Sequence, residues 1–265
     1  MNANAATYFV DRHLDTPIAN KKAFIEFSEL ERNISYKELS KKSSKVISFL
    51  KKHDIHQEDR VAMLMLDVLE FPVIFWGSLK SGVIPIPINT LLSSEVIETI
   101  LIDSRAKAIF ISTELLDTVT DILKNNNYLK KIFVVGLPSD DYINFNSQID
   151  DCEELPTVDV SDDEVAFWLY SSGSTGRPKG VKHVHGSLQK TYETYAKQVL
   201  DIKENDIVFS VAKLFFAYGL GNAMTFPLAV GATSIILPTR PTPDKIIEIL
   251  ENHKITILFA VPTLF

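Results

Sequence analysis

Short apolar runs rich in β-branched residues alternate with amphipathic stretches along most of the chain, and this alternation restricts the fold more than any other feature. The runs predict strands over residues 60–66, 83–88, 107–111, 131–135, 165–170, 206–212, 232–237 and 255–261. Between them the apolar spacing predicts helices over 69–80, 94–104, 114–124, 186–200 and 243–253. A further helix opens at Ser35, where Ser35 and Glu38 fit a Ser-x-x-Glu capping box and Leu39, Val46, Ile47 and Leu50 face a core. Strands that are apolar on both faces and separated by helices belong to parallel sheets covered on each side. The expected fold class is α/β, with two αβα layered units and largely parallel sheets.

One break in composition divides the chain. From Ile132 to Gly176 there is no Lys or Arg, while Asp140, Asp141, Asp150, Asp151, Glu153, Glu154, Asp159, Asp162, Asp163 and Glu164 crowd together. Residues 137–163 are therefore expected to be a solvated acidic linker. It separates a first α/β subdomain, 1–136, from a second, 164–265, with the N-terminal residues free to pack with the second unit.

The remaining composition excludes several classes. With 46% hydrophobic and 23% charged residues in 265, the chain carries enough apolar surface for a large core and is not a disordered one. A net charge of −7 argues against a broad nucleic-acid surface. The single cysteine, Cys152, excludes an internal disulfide framework and a cysteine-cluster metal site. The opening residues lack a basic segment followed by an apolar one, so a cytoplasmic location is expected. Leu214 to Thr239 carries no charge, but its glycines and polar residues suit a helix, a turn and a buried strand better than a membrane span.

The segment most informative about function is Ser171-Ser-Gly-Ser-Thr-Gly-Arg-Pro-Lys-Gly180, which follows the apolar run VAFWLY. Gly173 and Gly176 free the backbone so that successive amides can turn toward an anion. Ser171, Ser172, Ser174 and Thr175 add hydroxyls, and Lys179 adds a point charge. A loop at the carboxyl end of a parallel strand is also where α/β sheets place ligands. The Gly-Lys-Ser/Thr of a Walker A loop and the G-x-G-x-x-G of a dinucleotide fold are both missing. The alternatives are a phosphate-gripping loop or a flexible Ser/Gly connection. His183 and His185 point the same way if they lie on a strand, which suits a metal pair, although no third ligand is suggested nearby. Phe215, Phe216 and Tyr218 suit a hydrophobic core as well as a pocket, and Lys213 suits a phosphate contact or a strand end.

SSGSTGRPKG resembles the signature phosphate loop of the adenylate-forming superfamily of acyl-CoA synthetases, luciferases and peptide-synthetase adenylation domains. NAATYFVDRHLD, MLDVLEFPVIFWGSLKSGVIPIPINTLL, AKLFFAYGLGNAMTFPLAVGATSIIL and FAVPTLF are similar to the benzoate- and 4-hydroxybenzoate-CoA ligases within it. The resemblance implies a two-step ligase. A carboxylate attacks the α-phosphate of ATP to give an acyl-adenylate and pyrophosphate; coenzyme A then displaces AMP to form a thioester. It further implies that Ser171, Ser172, Gly173, Ser174, Thr175, Gly176 and Lys179 hold the β- and γ-phosphates. Ala217, Tyr218 and Gly219 would help form the aryl-carboxylate pocket, and His185 matches the histidine that closes the phosphate-loop segment. The small-molecule partners implied are ATP, coenzyme A and an aromatic carboxylate.

By the same resemblance, no catalytic residue is assigned within this chain, and no metal ligand. The Thr-Glu motif that serves adenine and Mg²⁺, the ribose-binding aspartate, the hinge and the small C-terminal domain with its lysine would lie elsewhere. The expectation is half of a ligase, inactive when isolated, with an apolar strand edge exposed at 255–261. Two other readings stay open: a different acyl-CoA synthetase or adenylation domain, and a non-catalytic ATP-binding or interaction module.

Overall fold

The computed structural model describes residues 3–172 and 177–262. Among them are twelve strands: β1 (Lys22–Glu26), β2 (Arg32–Ser35), β3 (Arg60–Leu64), β4 (Ile84–Pro87), β5 (Ala108–Ser112), β6 (Lys131–Val135), β7 (Ile143–Asn144), β8 (Val165–Ser172), β9 (Pro178–Val184), β10 (Ile207–Ser210), β11 (Thr233–Ile236) and β12 (Ile257–Phe259). One sheet has the order β4-β3-β5-β6-β7 and is parallel throughout. A second has the order β12-β10-β11-β1-β2 and is parallel except at β1–β2. β8 and β9 form an antiparallel pair of their own.

The two-residue period of the strands sorts side chains into layers. In the first sheet Val61, Met63, Phe110 and Phe133 join a central cluster, while Ala62, Leu64, Ile109 and Val134 face outward toward Ile97, Ile100 and Leu101 of helix Ser94–Ser104. The central cluster also takes Phe24 and Val208 from the second sheet. Between the sheets it is filled by Phe9, Phe49 and Trp76, from helices Ala5–Phe9, Tyr36–Lys52 and Glu70–Lys80. The far face of the second sheet, with Ile25, Phe209 and Ile235, packs on Ile249 of helix Pro243–Asn252. The expected α/β layering is present, and the central helical layer is shared between the sheets. Helix Glu70–Lys80 lies within that layer and is buried along almost its whole length, which is why its sequence is apolar on every side.

Helix Tyr36–Lys52 starts where the capping box predicts. The Glu38 amide donates to Ser35 Oγ at 3.2 Å, and the Ser35 amide donates to Glu38 Oε2 at 2.8 Å. The uncharged stretch folds into short helical turns, Ala217–Leu220, Gly221–Thr225 and Phe226–Val230, followed by β11. Gly231 ends them at φ +80°, where an added Cβ would lie 2.6 Å from Ile18 Cδ1. Among the described residues no helix is long and apolar enough to cross a membrane.

The structure departs from expectation at several points. The run 114–124 is a 3₁₀ turn, Thr113–Thr118, and a short helix, Thr120–Asn125, because the turn has no fully buried residue to extend a packed face. The helix expected from 186 starts at His185 and widens from Tyr192 into a π-type stretch ending at Leu200. β1 and β2 were not anticipated. Their apolar runs are broken by Glu26 and Arg32, which satisfy each other: Arg32 Nε donates to Glu26 Oε1 at 3.0 Å and lets that carboxylate sit buried. Within 137–163, β7 pairs with β6, and helix Phe145–Ile149 buries Phe145. Finally, the glycine-rich loop does not follow a parallel strand. β8 runs antiparallel to β9, so the chain between Ser172 and Pro178 connects the two strands of a hairpin. Polar residues interspersed along PKGVKHV mask β9 from an apolar-run criterion.

Candidate functional site

β8 alternates between two environments. Phe167 and Leu169 enter the central cluster, whereas Trp168 and Tyr170 pack on the outer cluster beside helix Ser94–Ser104. Tyr170 Oη donates to Asp103 Oδ2 at 2.5 Å, tying the strand end to that helix. Burial first, and then the Asp103 charge, hold the phenol above its usual pKa. Beyond Tyr170, Ser171 lies opposite Lys179, and Ser172 opposite Pro178. Ser171 and Lys179 are both exposed, so a polyphosphate could reach them without displacing core. Gly173, Ser174, Thr175 and Gly176 lie outside the described residues, as does the side chain of Ser172.

The base of this hairpin opens on a cleft of about 520 Å³. Tyr170, Ser171 and Pro178 form one side, and Phe215, Phe216 and Ala217 another. Pro87 and Asn89, at the carboxyl end of β4, and Val96 and Ile100 of helix Ser94–Ser104 complete it. The two sequence segments singled out for phosphate and carboxylate binding therefore meet at one cavity. A more polar groove of about 600 Å³ lies on the other side of the hairpin, against Arg60, Trp168 and Lys182. It contains neither segment, and its basic groups are engaged, Arg60 by the Ser104 and Glu58 carbonyls and Lys182 over the Trp168 ring, so the smaller cleft is the candidate site.

The residues of AKLFFAYGLG separate into distinct roles. Phe215 is buried core, whereas Phe216 is 43% exposed at the cleft, its ring centroid 4.5 Å from that of Phe215. Ala217 is exposed on the cleft wall. Tyr218 does not line it; the ring stands edge-on to Phe259 of β12 at 6.2 Å. Gly219 is buried, and a Cβ there would lie 2.0 Å from the Lys213 carbonyl oxygen. Only glycine permits that close approach, and it sets the tight path of the segment.

Two charged groups behind the segment, Lys213 and Asp67, carry no site assignment from sequence. Lys213 Nζ donates to the Thr239 carbonyl at 2.7 Å and to the Leu237 carbonyl. It also faces Asp67 at 3.9 Å, so it is not a free phosphate ligand. Asp67 is buried just past β3, and its two carboxylate oxygens accept from the Leu214 amide at 3.2 and 3.4 Å. Burial pushes its pKa up to about 6, against the opposing pull of Lys213 and of the Leu214 amide. Burial lowers the pKa of Lys213, with Asp67 partly countering. The only sequence signal for this pair was that each charge directly follows an apolar strand.

The two histidines diverge. His183 stacks on Phe167 at 4.6 Å with an interplanar angle of 5° and borders the cleft. His185, now at the start of a helix, accepts the Ala5 amide through Nδ1 at 3.1 Å. Its pKa is lowered to about 4 by burial, with Glu164 opposing, so it is a neutral structural acceptor. The expectation that both point one way fails because the strand ends between them. Among the described residues no three His, Cys, Asp or Glu side chains converge as a metal site.

Two mostly parallel sheets sharing a helical layer, with the ends of the β8–β9 hairpin beside an aromatic-walled cleft, define the class as an α/β domain with a ligand-sized site at its strand ends. The chain belongs to the AMP-binding enzyme family, whose profile matches residues 11–265. It is 40% identical over 263 residues to a 4-hydroxybenzoate-CoA/benzoate-CoA ligase of Rhodopseudomonas palustris, a match covering 99% of this chain and 48% of that protein. It is likewise 40% identical to a benzoate-CoA ligase of Thauera aromatica, covering 99% of this chain and 49% of that one. The crystal structure of a benzoate CoA ligase from Burkholderia xenovorans LB400 superposes with a TM-score of 0.89 at 38% identity, covering 98% of this chain and 50% of that one. The anthranilate CoA ligase AuaEII, solved in complex with anthranoyl-AMP, gives a TM-score of 0.93 at 32% identity, covering 99% and 50%. The chain spans about half the length of the curated relatives it matches.

Proposed function

We propose that this chain is part of an ATP-dependent aryl-acid CoA ligase of the benzoate type, acting in the cytoplasm. The observation that carries the reading is the cleft of about 520 Å³ where the hairpin ends, Ser171 and Pro178, meet Phe215, Phe216 and Ala217. An aromatic ring suits walls built of Phe216, Val96 and Ile100, and a carboxylate at its edge would face the hairpin that grips phosphate. In the first step a carboxylate oxygen bonds to the α-phosphorus and the bond to pyrophosphate breaks. In the second, the coenzyme A sulfur bonds to the acyl carbon and AMP leaves with the electron pair. Neither step needs a protein nucleophile, so positioning and charge stabilisation supply the rate.

In this reading Ser171, Ser172, Gly173, Ser174, Thr175, Gly176 and Lys179 hold the β- and γ-phosphates. Ala217 contacts the aryl acid and Gly219 shapes the turn, while Tyr218, edge-on to Phe259, is assigned no contact in this conformation. The described residues offer no carboxylate cluster at the hairpin for Mg²⁺, because Asp103 there is engaged by Tyr170, so no step is assigned to the metal. A division at residues 137–163 belongs to the same proposal, with β1 and β2 counted in the second sheet.

The similarity to an acetyl-CoA synthetase of Bacillus subtilis, 29% identical over 99% of this chain and 46% of that one, motivates the second reading, a small aliphatic acid. The test is carboxylate-dependent ATP–pyrophosphate exchange by the protein carrying this sequence, with benzoate, 4-hydroxybenzoate, anthranilate and acetate compared. Exchange with an aromatic acid and none with acetate is expected. Exchange with acetate alone favours the second reading, and exchange with no acid by folded protein favours a non-catalytic ATP-binding module.

A further inference from the structure

Behind the cleft, three strand ends from two sheets are fastened to one another by a buried carboxylate, Asp67, and the mostly buried ammonium of Lys213. Asp67 follows β3 of the first sheet, Lys213 follows β10 of the second, and Leu237 and Thr239 follow β11. Asp67 takes the Leu214 amide, while Lys213 bonds the carbonyls of Leu237 and Thr239. The Lys213 carbonyl accepts the Phe216 amide at 3.0 Å and abuts Gly219. The start of the segment that presents Phe215, Phe216 and Ala217 to the cleft is therefore fixed through Asp67 and Lys213, while the Leu220 amide, donating to the Phe216 carbonyl at 2.8 Å, fixes its far side.

The energetics argue that this pair does more than add stability. Taking two charges out of water costs several kcal/mol each, about what their attraction returns, and a packed apolar pair is often as stable or more so. At 3.9 Å the two do not share a close, well-formed hydrogen bond that would tip the balance. What the charges supply is direction: a carboxylate aimed at one backbone amide, and an ammonium aimed at two carbonyls.

We infer that Asp67 and Lys213 are positioning residues that hold the Phe215–Phe216–Ala217 wall in register, and so set affinity for the carboxylic acid rather than for ATP. In the proposed reading the phosphate side of the cleft belongs to β8 and β9, which neither residue touches with a hydrogen bond among the described residues. This inference rests on the aryl-acid ligase reading for its substrate, but not for its geometry.

The test uses Lys213→Met, Asp67→Asn and the double variant in the protein carrying this sequence, each measured for thermal midpoint, KM for benzoate and KM for ATP in the exchange assay. Lys213→Met is expected to raise the benzoate KM by about tenfold or more, with the ATP KM changed by less than about twofold. The double variant, freed of an unpaired buried charge, should regain its thermal midpoint without regaining benzoate KM. Recovery of both together would reduce the pair to a stability role and overturn the inference, as would equal shifts in the two KM values. Amide hydrogen exchange provides a readout independent of activity. Asp67→Ala should speed exchange at Leu214 and Phe216, and unchanged protection would sink the proposal. If the parent shows no exchange with any aromatic acid, the aryl-acid reading fails, while the amide data still decide the clamp.

Discussion

Lys179 stands exposed on β9, directly across from Ser171, and in the proposed reading its ammonium meets a phosphate oxygen. A charge-assisted contact of this kind is worth about 1.5–3 kcal/mol. Lys179→Ala should therefore raise the ATP KM in the exchange assay by roughly tenfold or more while leaving the thermal midpoint unchanged. Unaltered ATP kinetics would remove Lys179 from the phosphate site. His185 makes a prediction of a different kind. Its folded pKa of about 4 lies below the unfolded value of 6.5. The unfolded chain thus binds the proton first, and the stability contributed by the neutral ring is complete above pH 6.5 and is lost as pH falls toward 4. Across that window the loss is worth about 3 kcal/mol. Asp67, with its pKa raised to about 6 from 3.8, acts in the opposite sense, taking up its proton in the folded chain first. His185→Gln should consequently flatten the acid limb of stability, as measured by urea unfolding between pH 4 and 6.5. A limb as steep as in the parent would show that His185 titrates normally.

At the scale of elements, local signals proved sufficient wherever the pattern was self-contained. The capping box places the start of helix Tyr36–Lys52 at the residue where it occurs, and helix Ser94–Ser104 spans its apolar repeat. Ser35→Ala removes the oxygen that accepts the Glu38 amide and should cost about 1 kcal/mol, read as a lower urea midpoint with unchanged slope. A cost near zero would mean that packing alone fixes the helix start. Local signals failed for β1, whose buried Glu26 becomes acceptable only once Arg32 pairs with it. They failed again for β9, where Lys179, Lys182 and His183 hide the alternation, and there the consequence reaches function. The glycine-rich connection is held at both ends by an antiparallel hairpin, with Tyr170 bonded to Asp103 at its base. Its ends are thus set by strand register rather than by a following helix.

For the whole molecule, one apolar cluster runs between both sheets, so the two cannot unfold independently without exposing it. Phe9 sits fully buried in that layer, its ring stacked at 5.4 Å on Trp76. Phe9→Ala should cost about 3–5 kcal/mol and lower a single cooperative transition, followed by circular dichroism and tryptophan fluorescence together. Two separated transitions would show instead that the sheets are independent units. At this scale the division between sequence and tertiary structure is clear. The period of apolar residues, read over a few neighbours, determined the α/β class and most strands and helices, because periodicity is a local property; the candidate phosphate loop stood out by its glycines and hydroxyls, and the candidate carboxylate segment by resemblance alone. Only the tertiary structure decided that β1 lies beside β11, that Ser171 and Pro178 meet Phe216 and Ala217 at one cleft, and that Asp67 faces Lys213. Those facts depend on which distant strands pair and on which charges are taken out of water together, and no stretch of neighbouring residues carries that information.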